Sequence, residues 1–184
     1  MPEFVSRAGA KLEHALAALN INPANKICAD LGCSTGGFTD CLLQHNAAKV
    51  YAVDTGYGVL DWKLRKNPRV VVMERTNAMH VTLPEKVDLI TIDVGWTRQK
   101  NILPHAAELL AAAGLVITLI KPHYEADPTQ LKQGVLPDDL VDSVVARVKQ
   151  EIEQTGWQWQ ASTPSPIRGS GGNSEILATL RQPD

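Results

Sequence analysis

Five short apolar runs divide the chain: KICADL (Lys26 to Leu31), KVYAVD (Lys49 to Asp54), RVVVM (Arg69 to Met73), VDLITID (Val87 to Asp93) and GLVITLI (Gly114 to Ile120). Each is nearly continuous in apolar residues rather than alternating, the pattern of strands covered on both faces in a parallel sheet. Helical spacings lie around them. Ala8, Leu12, Ala15, Leu16 and Leu19 share one helix face after Ser6, an N-cap residue type; Phe38 to Gln44 and Ile102 to Ala113 fit helices after the first and fourth runs. Strand alternating with helix specifies a doubly wound α/β sheet.

Towards the end the period changes. Pro137, Asp138 and Asp139 open a helix with apolar positions Val141, Val144, Val145, Val148 and Ile152, running to about Gly156. WQWQAS then alternates with period two, the loop RGSGGN follows, and EILATL reads as a strand. Two strands with no helix between them predict an antiparallel hairpin at the sheet edge. No repeat, low-complexity tract or linker breaks the pattern, and 184 residues is one ordinary domain's length, so a single domain over 1–184 is expected.

Composition narrows the function classes. Eighteen basic against 20 acidic side chains give a formal charge of −2, so any contact with nucleic acid is local. Cys28, Cys33 and Cys41 are odd in number, crowded and without paired zinc-finger spacing, which reads as reduced thiols in a cytoplasmic protein. None of the histidines shows an i,i+4 histidine or a cysteine partner at zinc spacing, and no metal is expected. MPEFVSRAGAKLEH lacks the apolar core of a signal peptide, and LLAAAGLVITLI is too short to span a bilayer, so no membrane association is expected.

The chemistry concentrates where the first apolar run ends, in DLGCSTGGF (Asp30 to Phe38). Gly32, Gly36 and Gly37 clear side chains from a strand-to-helix turn, where backbone N–H groups meet a ligand. A tight turn favours glycine on structural grounds alone, but Asp54 ends the second run about 20 residues further on, where a carboxylate receives ribose hydroxyls. The spacing G-x-x-x-G-G departs from the dinucleotide G-x-G-x-x-G. A ligand with a ribose and no phosphate, S-adenosylmethionine, fits better, and the terminal hairpin agrees with a methyltransferase sheet. A nicotinamide-dependent oxidoreductase shares the sheet and the acid, yet no hydride-transfer site is visible.

FVSRAGAKL, DLGCSTGGFTDCLL, VYAVDTGYGVLDWKLR, VVMERTNA, DLITIDV, LIKPHYEA and SPIRGSGGNSEIL occur in that order from about Phe4 to Leu180. Together they resemble the FtsJ-like ribose 2′-O-methyltransferases, the TlyA or hemolysin A branch. The resemblance implies a class I fold with a mostly parallel seven-stranded sheet and an antiparallel last strand. It implies methylation of a ribose hydroxyl of RNA, ribosomal RNA above all, by S-adenosylmethionine. It also implies a Lys-Asp-Lys-Glu tetrad at Lys11, Asp93, Lys121 and Glu175, and a cofactor site of Gly32, Ser34, Gly36, Gly37, Phe38, Asp54, Asn77 and Asp93. Asp93 and Lys121 each follow the last apolar residue of a strand, at the edge where open α/β sheets bind ligands. Read singly, each tetrad member is also an ordinary strand-end or edge charge, Phe38 a core residue and Asn77 a turn residue. A lysine acts as general base only where its pKa is lowered, so the expectation is Lys121 as base, with Lys11 as the neighbouring charge and the two acids orienting both.

Two features depart from the branch. An S4-type RNA-binding module usually precedes the domain, whereas these residues begin at MPEFVSRAGAKL, so the expectation is a catalytic domain alone, an enzyme that finds RNA by other means or through a separate partner, or a chain whose RNA affinity has been lost, down to a cofactor-binding protein without catalysis. VGWTRQK follows Asp93 where the family is more apolar. A basic run, DWKLRKNPR, offers Lys63, Arg65, Lys66 and Arg69 beside Trp62 for phosphates and a base, with Arg7 a further candidate. Its plain alternative is a solvated helix face with Trp62 in the core.

Overall fold

A computed structural model of the protein describes residues 3–182. The elements run α1 (Ala8–Ala18), β1 (Ile27–Leu31), α2 (Gly37–Gln44), β2 (Lys49–Val53), α3 (Trp62–Arg65), β3 (Val70–Met73), β4 (Val87–Ile92), α4 (Gln99–Leu109), β5 (Leu110–Ile120), α5 (Pro122–Glu125), α6 (Asp138–Gln154), β6 (Gln158–Pro164) and β7 (Ile176–Arg181). They form a seven-stranded sheet in the order β3-β2-β1-β4-β5-β7-β6. β1 to β5 are parallel, β7 pairs antiparallel with β5, and β6 closes the edge antiparallel to β7.

The apolar runs are continuous because each strand feeds two cores. Ala29, Leu31, Ile90 and Ile92 pack under α4 and α6 with Ile102, Leu103, Val144 and Val148. Their neighbours Cys28 and Leu89 face α1 and α2, against Leu12, Leu16, Phe38 and Leu42. The period-two side-chain alternation therefore buries both sets.

Three boundaries differ from the sequence pattern. Ser6 is no side-chain cap: Arg7 precedes α1 in helical conformation without a cap bond, and the Ser6 carbonyl accepts from Gly9 N–H at 3.1 Å. The expected helix to Ala113 stops at Leu109, because Leu110 pairs with Val87 and the strand reaches its later register, Leu115 beside Leu89, through a bulge. Sheet pairing overrides the helical propensity of the alanines. The third is α3, too short to produce a periodic signal.

Candidate active site

β1, β4 and β5 end at Leu31, Ile92 and Ile120, so Gly32, Asp93 and Lys121 emerge from one edge of the sheet. β7 runs the other way and pairs Ile176 with Ile120, which brings Glu175, just before its first residue, to the same edge. Lys11 reaches in from α1. The result is two ion pairs, Lys11 with Glu175 and Lys121 with Asp93. Lys121 Nζ is 2.6 Å from Asp93 Oδ1 and also donates to the Val94 carbonyl at 3.2 Å. All four side chains line one cavity of about 320 Å³, together with Arg7, Ser34 and Phe38. Gly169, in the loop before β7, leaves the space that the Glu175 carboxylate occupies; nothing in the sequence singled it out.

A second cavity of about 340 Å³ adjoins the first, and Gly32, Ser34 and Asp93 line both. Its walls include Asp54, Asn77, Val53, Ala78 and Met79. Asp54 is held by the glycine turn: Oδ2 accepts from Ser34 N–H at 2.8 Å and Oδ1 from Gly56 N–H at 2.7 Å. Asn77 lines this cavity while its Oδ1 accepts from Met79 N–H at 2.9 Å in a local turn, so its two readings coexist. Two carboxylates and no lysine, arginine or histidine line this cavity. That donor set suits a nucleoside carrying positive charge and repels a pyrophosphate, and so fits S-adenosylmethionine rather than a dinucleotide.

The three glycines divide between two tasks. Gly32, at φ +86°, lines both cavities, and a Cβ there would lie 2.6 Å from the Asp93 carbonyl oxygen. Gly36 and Gly37 line neither. At Gly36, φ +103°, the Cβ space is taken by Leu60 and Leu64, and at Gly37 by Ser6, Ala8 and Gly9. These two let neighbouring segments close onto the turn, where the sequence suggested room for ligand. Phe38 is core, with its edge on the tetrad cavity.

Several groups near the site escaped the sequence reading. Asp30 is fully buried beneath the turn, accepting from Thr39 Oγ1 at 2.7 Å and Thr91 Oγ1 at 3.0 Å. Burial pushes its carboxyl up to about 7, against the two hydroxyls that favour the ionised form. An acid inside the apolar run KICADL was the available signal. His123 is held below its usual range by burial and by the Lys121 ammonium, and its Nδ1 has no hydrogen-bond partner among the described residues. Trp96 is 88% exposed at φ +58°, its ring stacked on Tyr124 at 4.9 Å, and it lines the second cavity.

The basic run separates. Arg65 pairs with Glu74 and donates to the Leu60 carbonyl at 3.0 Å, while Arg69 donates to the Leu43 and Ala47 carbonyls at 3.4 and 3.1 Å. Both are committed to the fold, which corrects their reading as phosphate contacts. Trp62 is 67% exposed with Lys66 Nζ 4.8 Å from its ring centre, so the core alternative for Trp62 falls. Among the histidines, His45 stands four residues after Cys41, and both converge with Glu13.

A mostly parallel seven-stranded sheet with an antiparallel β7 and an acid closing β2 beside an acid-lined cavity define the class I S-adenosylmethionine-dependent methyltransferase fold, which more distant methyltransferase structures at 16–18% identity share. Within that class the chain belongs to the FtsJ-like methyltransferase family, which it matches over residues 4–182. It is 41% identical to Hemolysin A of Brachyspira hyodysenteriae, over 96% of this chain and 76% of that one. To the 16S/23S rRNA (cytidine-2′-O)-methyltransferase TlyA of Mycobacterium tuberculosis it is 39% identical, over 97% and 68%. A solved Streptococcus thermophilus structure, described as a candidate hemolysin, superposes with TM-score 0.95 at 38% identity, over 100% of this chain and 69% of the other. The chain thus spans about two thirds of the length of most curated relatives it matches. No helix among the described residues is long and apolar enough to cross a membrane.

Proposed function

We propose that this chain transfers the methyl group of S-adenosylmethionine to a ribose 2′-hydroxyl of RNA, ribosomal RNA in particular, and that Lys11, Asp93, Lys121 and Glu175 serve the transfer. One observation carries the reading: two ion pairs surround a cavity that shares the Asp93 wall with an acid-lined cavity free of basic side chains. The relatives named as rRNA 2′-O-methyltransferases support the acceptor class.

S-adenosylmethionine, when bound, supplies an electrophilic methyl on a sulfonium sulfur. Asp54, Asn77, Gly32 and Ser34 would hold its nucleoside part, with Asp93 at the methyl end, while Gly36, Gly37 and Phe38 shape the turn from beneath. The acceptor hydroxyl occupies the tetrad cavity. There the neutral form of Lys121 would take the hydroxyl proton on Nζ as the acceptor oxygen bonds the methyl carbon in line and the sulfur–methyl bond breaks, leaving the thioether. Asp93 and the Val94 carbonyl aim Lys121, and Glu175 fixes Lys11 across the cavity. Arg7, Lys63 and Lys66, with Trp62 and Trp96, offer contacts for phosphates and bases; a separate recognition partner is the other route to RNA.

The test is transfer of radiolabelled methyl from S-adenosylmethionine to naked ribosomal RNA and to assembled subunits, with Lys121→Ala alongside. The expected result is transfer that falls at least about a hundredfold in the variant, with cofactor binding kept. Full transfer by Lys121→Ala would remove that lysine from the chemistry. Cofactor binding without transfer to either acceptor would favour a binding role or a required partner.

A further inference from the structure

The outer side of the α1–α2 pair holds a donor set that the methyl-transfer site does not use. Glu13 of α1 meets Cys41 and His45 of α2, and a carboxylate oxygen, a sulfur and an imidazole nitrogen all lie within 4.8 Å of one another. Cys41 and His45 are one helical turn apart and so share a face; Glu13 crosses from the neighbouring helix. Glu13 Oε2 is 3.7 Å from Cys41 Sγ and 2.5 Å from His45 Nε2.

Those separations bear on what fits between them. Zinc bond lengths of about 2.0–2.3 Å in a tetrahedron place neighbouring ligand atoms about 3.3–3.7 Å apart. Glu13 and Cys41 already have that spacing. Glu13 and His45 are closer because they are in direct hydrogen-bonding contact, and opening them by about 1 Å would accompany replacement of that contact by a cation. The three groups meet near the surface: Cys41 is buried, while the His45 and Glu13 side chains are 37% and 34% exposed. A free cysteine and a surface His–Glu pair are each ordinary, but their convergence on one point from two helices is not required by packing.

We propose that Glu13, Cys41 and His45 form a three-ligand zinc site with its fourth position open to water. Thiolate, imidazole and carboxylate are the ligand types that Zn²⁺ accepts, and the thiolate weighs against Mg²⁺ and Ca²⁺. The ion clamps α1 onto α2. Lys11 lies two residues before Glu13 on α1, so the clamp also steadies the helix that carries one tetrad member. The zinc takes no part in methyl transfer.

The test titrates the purified full chain with Co²⁺ alone, followed by Zn²⁺. One equivalent of Co²⁺ should give a near-ultraviolet thiolate-to-cobalt band with tetrahedral visible absorption, which Zn²⁺ then displaces. Zn²⁺ should also raise the melting temperature. His45→Ala and Glu13→Gln, both at half-exposed positions that leave the fold intact, should weaken Co²⁺ binding at least about tenfold and reduce the melting shift. Cys41→Ser should abolish the charge-transfer band. No band in the parent chain, or a band of unchanged affinity in His45→Ala, would overturn the proposal.

Discussion

Two lysine–carboxylate pairs face the same cavity and differ in how they meet water. The Lys11 and Glu175 side chains are 8% and 4% exposed and join positions 164 residues apart, whereas those of Lys121 and Asp93 are 15% and 20% exposed. A sealed pair depends on its partner, since removing one member leaves an uncompensated charge in a poor solvent. A half-open pair can exchange its partner for a substrate hydroxyl or water. One lysine is therefore a fixed charge and the other an available group, a division that identical residue types conceal.

Glu175→Gln attacks the sealed pair and should cost about 3–5 kcal/mol, a fall in melting temperature of about 10 °C, measured by thermal unfolding. Lys121→Ala should leave the melting temperature nearly unchanged while abolishing transfer. The double variant Lys11→Met with Glu175→Leu should regain much of the stability and none of the activity; recovery of activity would erase the contrast. Asp54→Asn should raise the dissociation constant for S-adenosylmethionine by roughly tenfold to a hundredfold in calorimetry, leaving both pairs intact.

Beneath the same edge, Asp30 should impose a pH dependence. Its folded-state value of about 7 lies above the ordinary 3.8, so the folded protein holds the proton more tightly. The resulting stabilisation is full below about pH 3.8 and is lost as the pH rises through 7. Denaturant unfolding of Asp30→Asn should lack that loss, on the order of a few kcal/mol. The smallest effect belongs to the surface: Lys63→Ala with Lys66→Ala should lower the salt dependence of RNA binding by about two units of slope and leave stability alone.

Continuous apolar runs revealed β1 to β5, because both faces of each strand are covered, and the change of period revealed the β6–β7 hairpin. The start of β5 was hidden, since Leu110 to Ala113 read as helix until Val87 is there to pair with. At the site, position along the sheet edge was legible and partnership was not. Nothing local says that Lys11 meets Glu175, or that Arg65 and Arg69 are spent on Glu74 and backbone carbonyls while Lys63 and Lys66 stay outside. The glycine turn was recognisable, but which glycine admits ligand and which admits Leu64 depends on a helix too short to show a period. Cys41 and His45 were set aside singly, because the third member of their cluster, Glu13, lies on another helix.

The acid-lined, base-free cavity has a consequence for turnover. In the proposed reaction the sulfur begins as a cation and ends as a neutral thioether, so the attraction of the acid-lined cavity, Asp93 at the methyl end above all, for the charged ligand is lost as the methyl departs. The same carboxylates that draw the donor in would then favour letting its demethylated product go.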